Sequence, residues 1–151
     1  MDETRTHHFD SKTKSQSMDW KQYGSPATCK FRQHLSAGKI MASVFWDAEG
    51  ILMIDYLQHG ETITSDYYAN LIRNVREAIK EKRRGKLRLK VLFHQDNAPV
   101  HKSGVAMAAL NKAGFEIVHH PPYSPDLAPS NFYLFPNLKG HLRGQKFESN
   151  N

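Results

Sequence analysis

Cysteine is almost missing from this sequence: Cys29 is the one thiol in 151 residues. A disulfide framework and a thiolate zinc site are both excluded, and the chain suits a reducing, intracellular compartment. No apolar run approaches the roughly 20 residues of a membrane span. The opening Met1-Asp2-Glu3 has neither the basic nor the apolar part of a signal peptide. Internal repeats and low-complexity tracts are absent as well. Negative charge is in short supply, with 15 acidic residues against 21 basic ones, a net charge of +6. A balance of that sign fits a polyanionic partner.

What is present suits one domain with a real core, at 39% hydrophobic and 24% charged residues. Residues 2 to 9 have strand character. Residues 10 to 38 turn polar, with Trp20, Tyr23 and Phe31 as scattered anchors, and read as a functional excursion or as disorder. "KIMASVFW" and "ILMIDYLQ" around "DAEG" read as an antiparallel hairpin. Thr64 or Ser65 caps a helix from Asp66 to about Arg84, along which Tyr68, Leu71 or Ile72, Val75 and Ile79 recur at helical spacing. Val91 to Phe93 is a short buried strand, His101 to Lys112 a second helix stopped by Gly114, and "FEIVHH" a further strand. "PPYSPDLAPS" is a proline-stiffened loop, and Asn131 to about Leu142 is a third helix. Strands separated by helices should run parallel with right-handed crossovers, and the hairpin adds antiparallel neighbours. The expected fold is therefore α/β, a mixed five-stranded sheet with flanking helices.

The stretch "VLFHQDNAPVH" holds the first chemical signal. An apolar strand ends abruptly in polar residues and delivers Asp96 at its end, with Pro99 fixing the turn. In the expected sheet the first strand lies beside this one, which puts Asp2 near Asp96. Two carboxylates so close repel each other unless a cation lies between them. Magnesium takes a few hard oxygens and keeps water in its other positions, so such a pair forms part of a site. A third oxygen should come from the element after the last strand, where Asn131 stands with 34 residues between it and Asp96. Asp126 sits in a Ser-Pro-Asp turn and reads as turn chemistry.

"MDETRTHHFD", "HQDNAPVH" and "HHPPYSPDLAPSNFYLFPNLKGHL" resemble, in order, the three catalytic blocks of the mariner-family DNA transposases, and the 34-residue interval is typical of that family. The resemblance covers nearly the whole chain as one catalytic domain, residues 1–151, with the insertion at about 10–38 as a clamp-like loop. It implies an RNase H-like fold and metal-dependent cleavage of transposon ends with joining to target DNA. Asp2 and Asp96 match the first two catalytic aspartates. Asn131 stands where the family has its third. The implied cofactor is Mg2+ or Mn2+, held by Asp2, Asp96 and Asn131. Double-stranded DNA and a homodimer are the implied partners, with no membrane, and the nucleus is the implied compartment. An amide brings no charge to a divalent ion, so catalysis is expected to be impaired. Arg5 replaces a tryptophan of the family. Its DNA-reading helix-turn-helix region and its last helices find no counterpart here, so the sequence reads as truncated at both ends or as a fragment.

Each sharp reading has a plainer competitor. Lys80, Lys82, Arg83, Arg84, Lys86, Arg88 and Lys90 fall within eleven residues; they are DNA contacts or an import signal on one reading, a solvated helix end on the other. Asn131 is also a common helix-capping residue, and Asn97 either orients Asp96 or stabilises the turn. For His94 and His101 packing is the leading reading and phosphate contact the second. His7–His8 and His119–His120 point to opposite faces and make no shared metal site. Phe45, Trp46 and Tyr56 are expected in the core. In function, the alternative to an impaired transposase is a non-catalytic DNA-binding remnant or domesticated transposon-derived module. Ribonuclease H activity is a weaker enzyme alternative.

Overall fold

The computed structural model describes residues 1–7, 18, 22–25, 39–58 and 60–142. The expected insertion at 10–38 lies outside the described residues, save Met18 and the turn at 22–25. Strands β1 (Asp2–His7), β2 (Lys39–Asp47) and β3 (Gly50–Leu57) form an antiparallel ladder in the order β1-β2-β3. The turn between β2 and β3 is closed by Gly50 at φ +122°, a conformation that glycine adopts at no steric cost. A register shift between Phe45 and Trp46 re-aims the end of β2. Phe45 stays in the core at 1% exposure, and Trp46 is half-buried. Tyr56, expected in the core, is instead 64% exposed on β3. Burial alternates along β3, and Tyr56 falls on the face that no described residue covers.

Helix α1 (Ser65–Lys82) starts where Thr64 Oγ1 accepts the Tyr67 amide. Its buried positions, Tyr68, Leu71, Ile72, Val75 and Ile79, form one stripe. That stripe meets Phe45 and Leu52 from the hairpin, Phe93 and Phe115 from the parallel strands, and Ala106 and Leu110 from α2. Burying each of the larger aliphatic side chains contributes about 1.5–3 kcal/mol. β4 (Val91–His94) and β5 (Phe115–Val118) pair in parallel, with Phe93 stacked on Phe115 at 5.3 Å.

The helix between them, α2 (Gly104–Ala113), begins three residues later than expected. Turns bonded to Ala98 and Val100 occupy the chain up to Ser103, whose Oγ caps the helix through the Ala106 amide. Gly114, left-handed at φ +76°, ends it as expected. After β5 a turn at Pro125–Leu127 carries Asp126, in keeping with its Ser-Pro-Asp setting. Ser130–Leu134 then form one π-helical turn that runs into α3 (Phe135–Leu142). Asn131 is therefore inside a wide turn rather than at a helix cap.

The five strands and their mixed directions follow expectation, but the ladder is not continuous. It divides into β1-β2-β3 and β4-β5, with no ladder pairing between β1 and β4 among the described residues. The seam is bridged at its end, where the Met1 ammonium donates to the His94 carbonyl at 2.7 Å. Beside it, Phe45, Trp46, Val91, Phe93 and Pro129 line a cavity of about 570 Å³. Among the described residues no helix is long and apolar enough to cross a membrane.

Candidate active site

Asp2 opens β1, and Asp96 follows β4 by two residues. The Asp2 carboxyl is pushed up to about 6, first by burial, with the charges of Glu3 and Asp96 adding to the effect. Asp96 is thus near enough to act on Asp2, although β1 and β4 do not pair. Asp2 Oδ1 accepts the Glu3 amide at 2.8 Å. Asp96 Oδ1 accepts the Ala98 amide at 3.0 Å and meets His101 Nδ1 at 2.6 Å. Among the described residues neither Oδ2 has a hydrogen bond, and the Asp96 side chain is 46% exposed. One oxygen of each carboxylate is fixed, and the other is free.

His101, for which the sequence suggests packing or a phosphate contact, does more than pack. Its side chain is 2% exposed, and both ring nitrogens are engaged: Nδ1 with Asp96, Nε2 with Glu3 Oε1 at 3.1 Å. Burial pushes its pKa down, but the hydrogen bonds to Asp96 and Glu3 outweigh that and hold it up at about 9. At neutral pH it is an imidazolium clamped between two acids. The His101 bond in turn is the main reason that Asp96 is held below the usual carboxylate range. Phosphate contact by His101 is ruled out by this geometry, because neither nitrogen is free and the ring is buried.

A further layer holds the clamp. The His101 ring lies on Tyr68 with centroids 4.2 Å apart. Tyr68 Oη donates to Gln95 Oε1 at 2.6 Å, and Gln95 Nε2 donates to the His101 carbonyl at 3.2 Å. Sequence reasoning does not find Glu3, Tyr68, Gln95 and His101 as a supporting set. The available signals are the acid directly after Asp2 and the histidine five residues after Asp96.

The other turn residues have structural work. Asn97 Nδ2 donates to the His120 carbonyl at 2.7 Å, joining the turn after β4 to the end of β5. His94 Nε2 and His120 Nδ1 lie 3.1 Å apart, and burial lowers the His94 pKa. His119 is exposed and His120 buried, so that pair faces opposite ways. His8 lies outside the described residues. No group of three or more His, Cys, Asp or Glu with metal-binding geometry occurs among the described residues.

Asn131 is exposed, and its backbone N–H donates to the Ala128 carbonyl at 2.8 Å. Its turn is anchored to β2 by Trp46 Nε1 donating to Ser130 Oγ at 3.0 Å. Ser130 and Pro129 line the same cavity as Met1 and His94, the neighbours of Asp2 and of the Asp96 loop. The turn is thus held at the same end of the domain, and among the described residues no hydrogen bond joins Asn131 to either aspartate.

The basic cluster divides. Arg83 makes two 3.0 Å bonds to the Asp47 carboxylate, and Lys86 Nζ lies 3.1 Å from Asp47 and 2.6 Å from Glu49. Lys82 Nζ donates to the Leu52 carbonyl at 2.7 Å. These three hold the end of α1 on the β2–β3 hairpin. Lys80 pairs loosely with Glu77, and Lys90 with Glu116, both on the surface. Arg84 and Arg88 are exposed, with no side-chain partner among the described residues.

The mixed α/β fold is RNase H-like, matching the catalytic domain of Mos1 mariner transposase with a TM-score of 0.72 at 32% identity. Residues 10–89 match the family model described as Transposase (partial DDE domain), just over half of the chain, although Asp2, Asp96 and Asn131 all fall outside that span. The chain belongs to this transposase family, and its relatives place it on the mariner branch. Mariner Mos1 transposase of Drosophila mauritiana is 35% identical over 128 residues, 83% of this chain and 37% of that protein. Human histone-lysine N-methyltransferase SETMAR is 36% identical over 113 residues, 74% of this chain and 16% of that protein. The chain thus spans less than half the length of either relative. A pre-cleavage Mos1 transpososome superposes with a TM-score of 0.85 at 31% identity, covering 99% of this chain and 43% of that one. The Mos1 catalytic domain with raltegravir and Mg superposes at 0.70 with 34% identity, covering 74% and 56%.

Proposed function

We propose that this domain is a mariner-type transposase catalytic domain, a metal-dependent DNA nuclease and strand transferase whose chemistry is impaired by Asn131. The observation that carries the reading is the aspartate pair. Asp2 is raised to about 6 by burial and by its acidic neighbours, Asp96 is braced by His101, and each keeps one free oxygen. Such a pair fits a hard divalent cation, Mg2+ or Mn2+, because a cation relieves the repulsion that the fold imposes. Asp2 and Asp96 would hold it, with the Asn131 carbonyl as a neutral third ligand. When bound, the ion supplies positive charge to a phosphodiester undergoing attack. The chain's own part is to orient the two carboxylates and to keep Asp96 ionised through the imidazolium.

The implied partners are double-stranded DNA, as transposon ends and target, and a second copy of the chain. Solved Mos1 relatives are described as paired-end and strand-transfer complexes, which supports both. Action on DNA makes the nucleus the proposed compartment. Arg84 and Arg88 are the members of the basic cluster best placed for phosphates, and Lys80 is the next; Lys82, Arg83 and Lys86 first satisfy the fold.

The test is nicking of supercoiled plasmid in Mg2+ or Mn2+ by the native chain, by Asp96→Ala and by Asn131→Asp. Weak native nicking, none with Asp96→Ala, and an increase with Asn131→Asp are expected. The new charge beside a divalent ion at about 4 Å and an effective dielectric near 20 is worth on the order of 8 kcal/mol before desolvation and repulsion. A surviving fraction of about 1.4 kcal/mol tightens metal binding about tenfold. The second reading, a DNA-binding module without chemistry, is favoured by the exposed, uncharged Asn131. Steeply salt-dependent DNA affinity without divalent-dependent nicking by either form would establish it.

A further inference from the structure

The π-helical turn that carries Asn131 also leaves two aromatic rings more than half exposed. Phe132 is 59% exposed and Tyr133 57% exposed. Tyr133 lies over Trp46, with centroids 6.1 Å apart and planes 21° from parallel, so one of its faces is backed. Trp46 is itself fixed by its bond to Ser130 Oγ at 3.0 Å. Phe132 has no aromatic neighbour among the described residues. A π-turn is a rare device that widens a helix by one residue and changes which side chains it presents, often at functional sites. Here the rings it presents directly follow the proposed third ligand, on a turn that begins after Pro129. Leaving two aromatic rings in water forgoes the burial that would stabilise them elsewhere.

We infer that Phe132 and Tyr133 form a stacking platform for unpaired nucleobases beside the cleavage position. The inference rests on the proposed function, which requires strand ends to be separated at the site. Aromatic rings take any base by its face, so the platform is sequence-tolerant and selects unpaired strands over duplex. Tyr133, backed by Trp46, is the rigid member, and Phe132 is the outer one. Neither residue touches a reacting atom; their part is to hold the strand.

The experiment measures affinity of the full chain without divalent metal, by fluorescence anisotropy at one fixed salt concentration. The probes are a labelled oligo-dT of about 15 nucleotides, an abasic oligomer of the same length and a duplex of the same length. The native chain should bind oligo-dT at least about fivefold more tightly than the abasic strand. Phe132→Ala should weaken oligo-dT binding about fivefold or more, the lower end of what one stacked base contributes. Duplex and abasic affinities should move less than about twofold, and Phe132→Trp should retain oligo-dT binding. Phe132→Ala is the primary variant because Tyr133→Ala also strips the stacking partner from Trp46. Equal binding of abasic and oligo-dT strands, or a parallel loss on duplex, overturns the inference. So does a Phe132→Ala chain that changes its sedimentation but not its oligo-dT affinity, which would make the rings a protein interface. Loss of plasmid nicking is scored separately: a chain that discriminates bases but never nicks refutes the proposed function and leaves the platform standing.

Discussion

Replacing His101 by glutamine tests whether a buried charge braces the aspartate pair. Glutamine keeps a polar group of similar reach but cannot carry the positive charge that sits between Asp96 and Glu3 at 2.6 and 3.1 Å. In the folded chain the His101 pKa is held at about 9, against 6.5 for the free side chain. That difference corresponds to on the order of 3 kcal/mol of folding free energy, at about 1.4 kcal/mol per unit. A raised pKa means that the folded state binds the proton more tightly. The contribution is therefore complete below about pH 6.5 and is lost as pH rises through 9. Its size agrees with the roughly 3–5 kcal/mol seen when one partner of a buried pair is removed. Urea unfolding of the metal-free chain at about pH 6 and about pH 10 is the assay. For an m-value of about 1–3 kcal/mol per molar, His101→Gln should lower the midpoint at the lower pH by roughly 1–3 M. At the higher pH the native and variant midpoints should nearly meet. Parallel displacement at both pH values would refute the reasoning, because the loss would then come from packing on Tyr68 and not from charge.

Arg83 and Lys86 hold Asp47 well below its usual carboxylate range, Arg83 being the largest cause. Because that pKa is depressed, the contribution is present above about pH 4 and lost as pH falls through the folded value; Asp47→Asn should therefore lower the melting temperature by a constant amount above about pH 4, with the gap to the native chain closing as pH falls further. Arg84→Ala with Arg88→Ala should flatten the salt dependence of duplex affinity by about one unit for each phosphate no longer neutralised, without moving the melting temperature. Arg83→Ala should do the reverse, lowering the melting temperature more than it changes the salt slope, and a flattened slope at unchanged stability would return Arg83 to the DNA surface. Ile72→Ala, at a fully buried position in α1, should cost about 2–5 kcal/mol by urea unfolding.

Local signals in the sequence carry most of the secondary structure. Thr64 caps α1 and Gly114 stops α2, because capping chemistry depends on residues within a turn of each other. The start of α2 is not legible in the same way, because nothing in His101 to Ser103 breaks a helix. Their backbone bonds and the His101 ring serve the turn instead. The split ladder and the exposed Tyr56 are invisible to periodicity, since alternation reports two faces of a strand and not whether anything covers the second. Arg83 and Lys86 look like free charge for a similar reason. Their partners Asp47 and Glu49 are distant in the chain, on a hairpin that the charge count does not contain.

The charge around the aspartates bears on how many divalent ions the site could hold. Counting side chains alone and leaving the Met1 ammonium aside, Asp2, Glu3 and Asp96 bring three negative charges when ionised and the imidazolium of His101 returns one, which leaves two for a cation to balance. On the proposed reading that is the charge of one divalent ion. Asn131 adds none, so a second divalent ion would bring two positive charges into a site partly shielded from water with no side chain to offset them. The brace itself contributes to this arithmetic. His101 fixes Asp96 in place, yet it also cancels one unit of the site's negative charge. An aspartate at position 131 would restore the third unit from a turn that makes no bond to His101, leaving the brace untouched. The same substitution therefore bears on two different quantities, the affinity for a first ion and the capacity for a second.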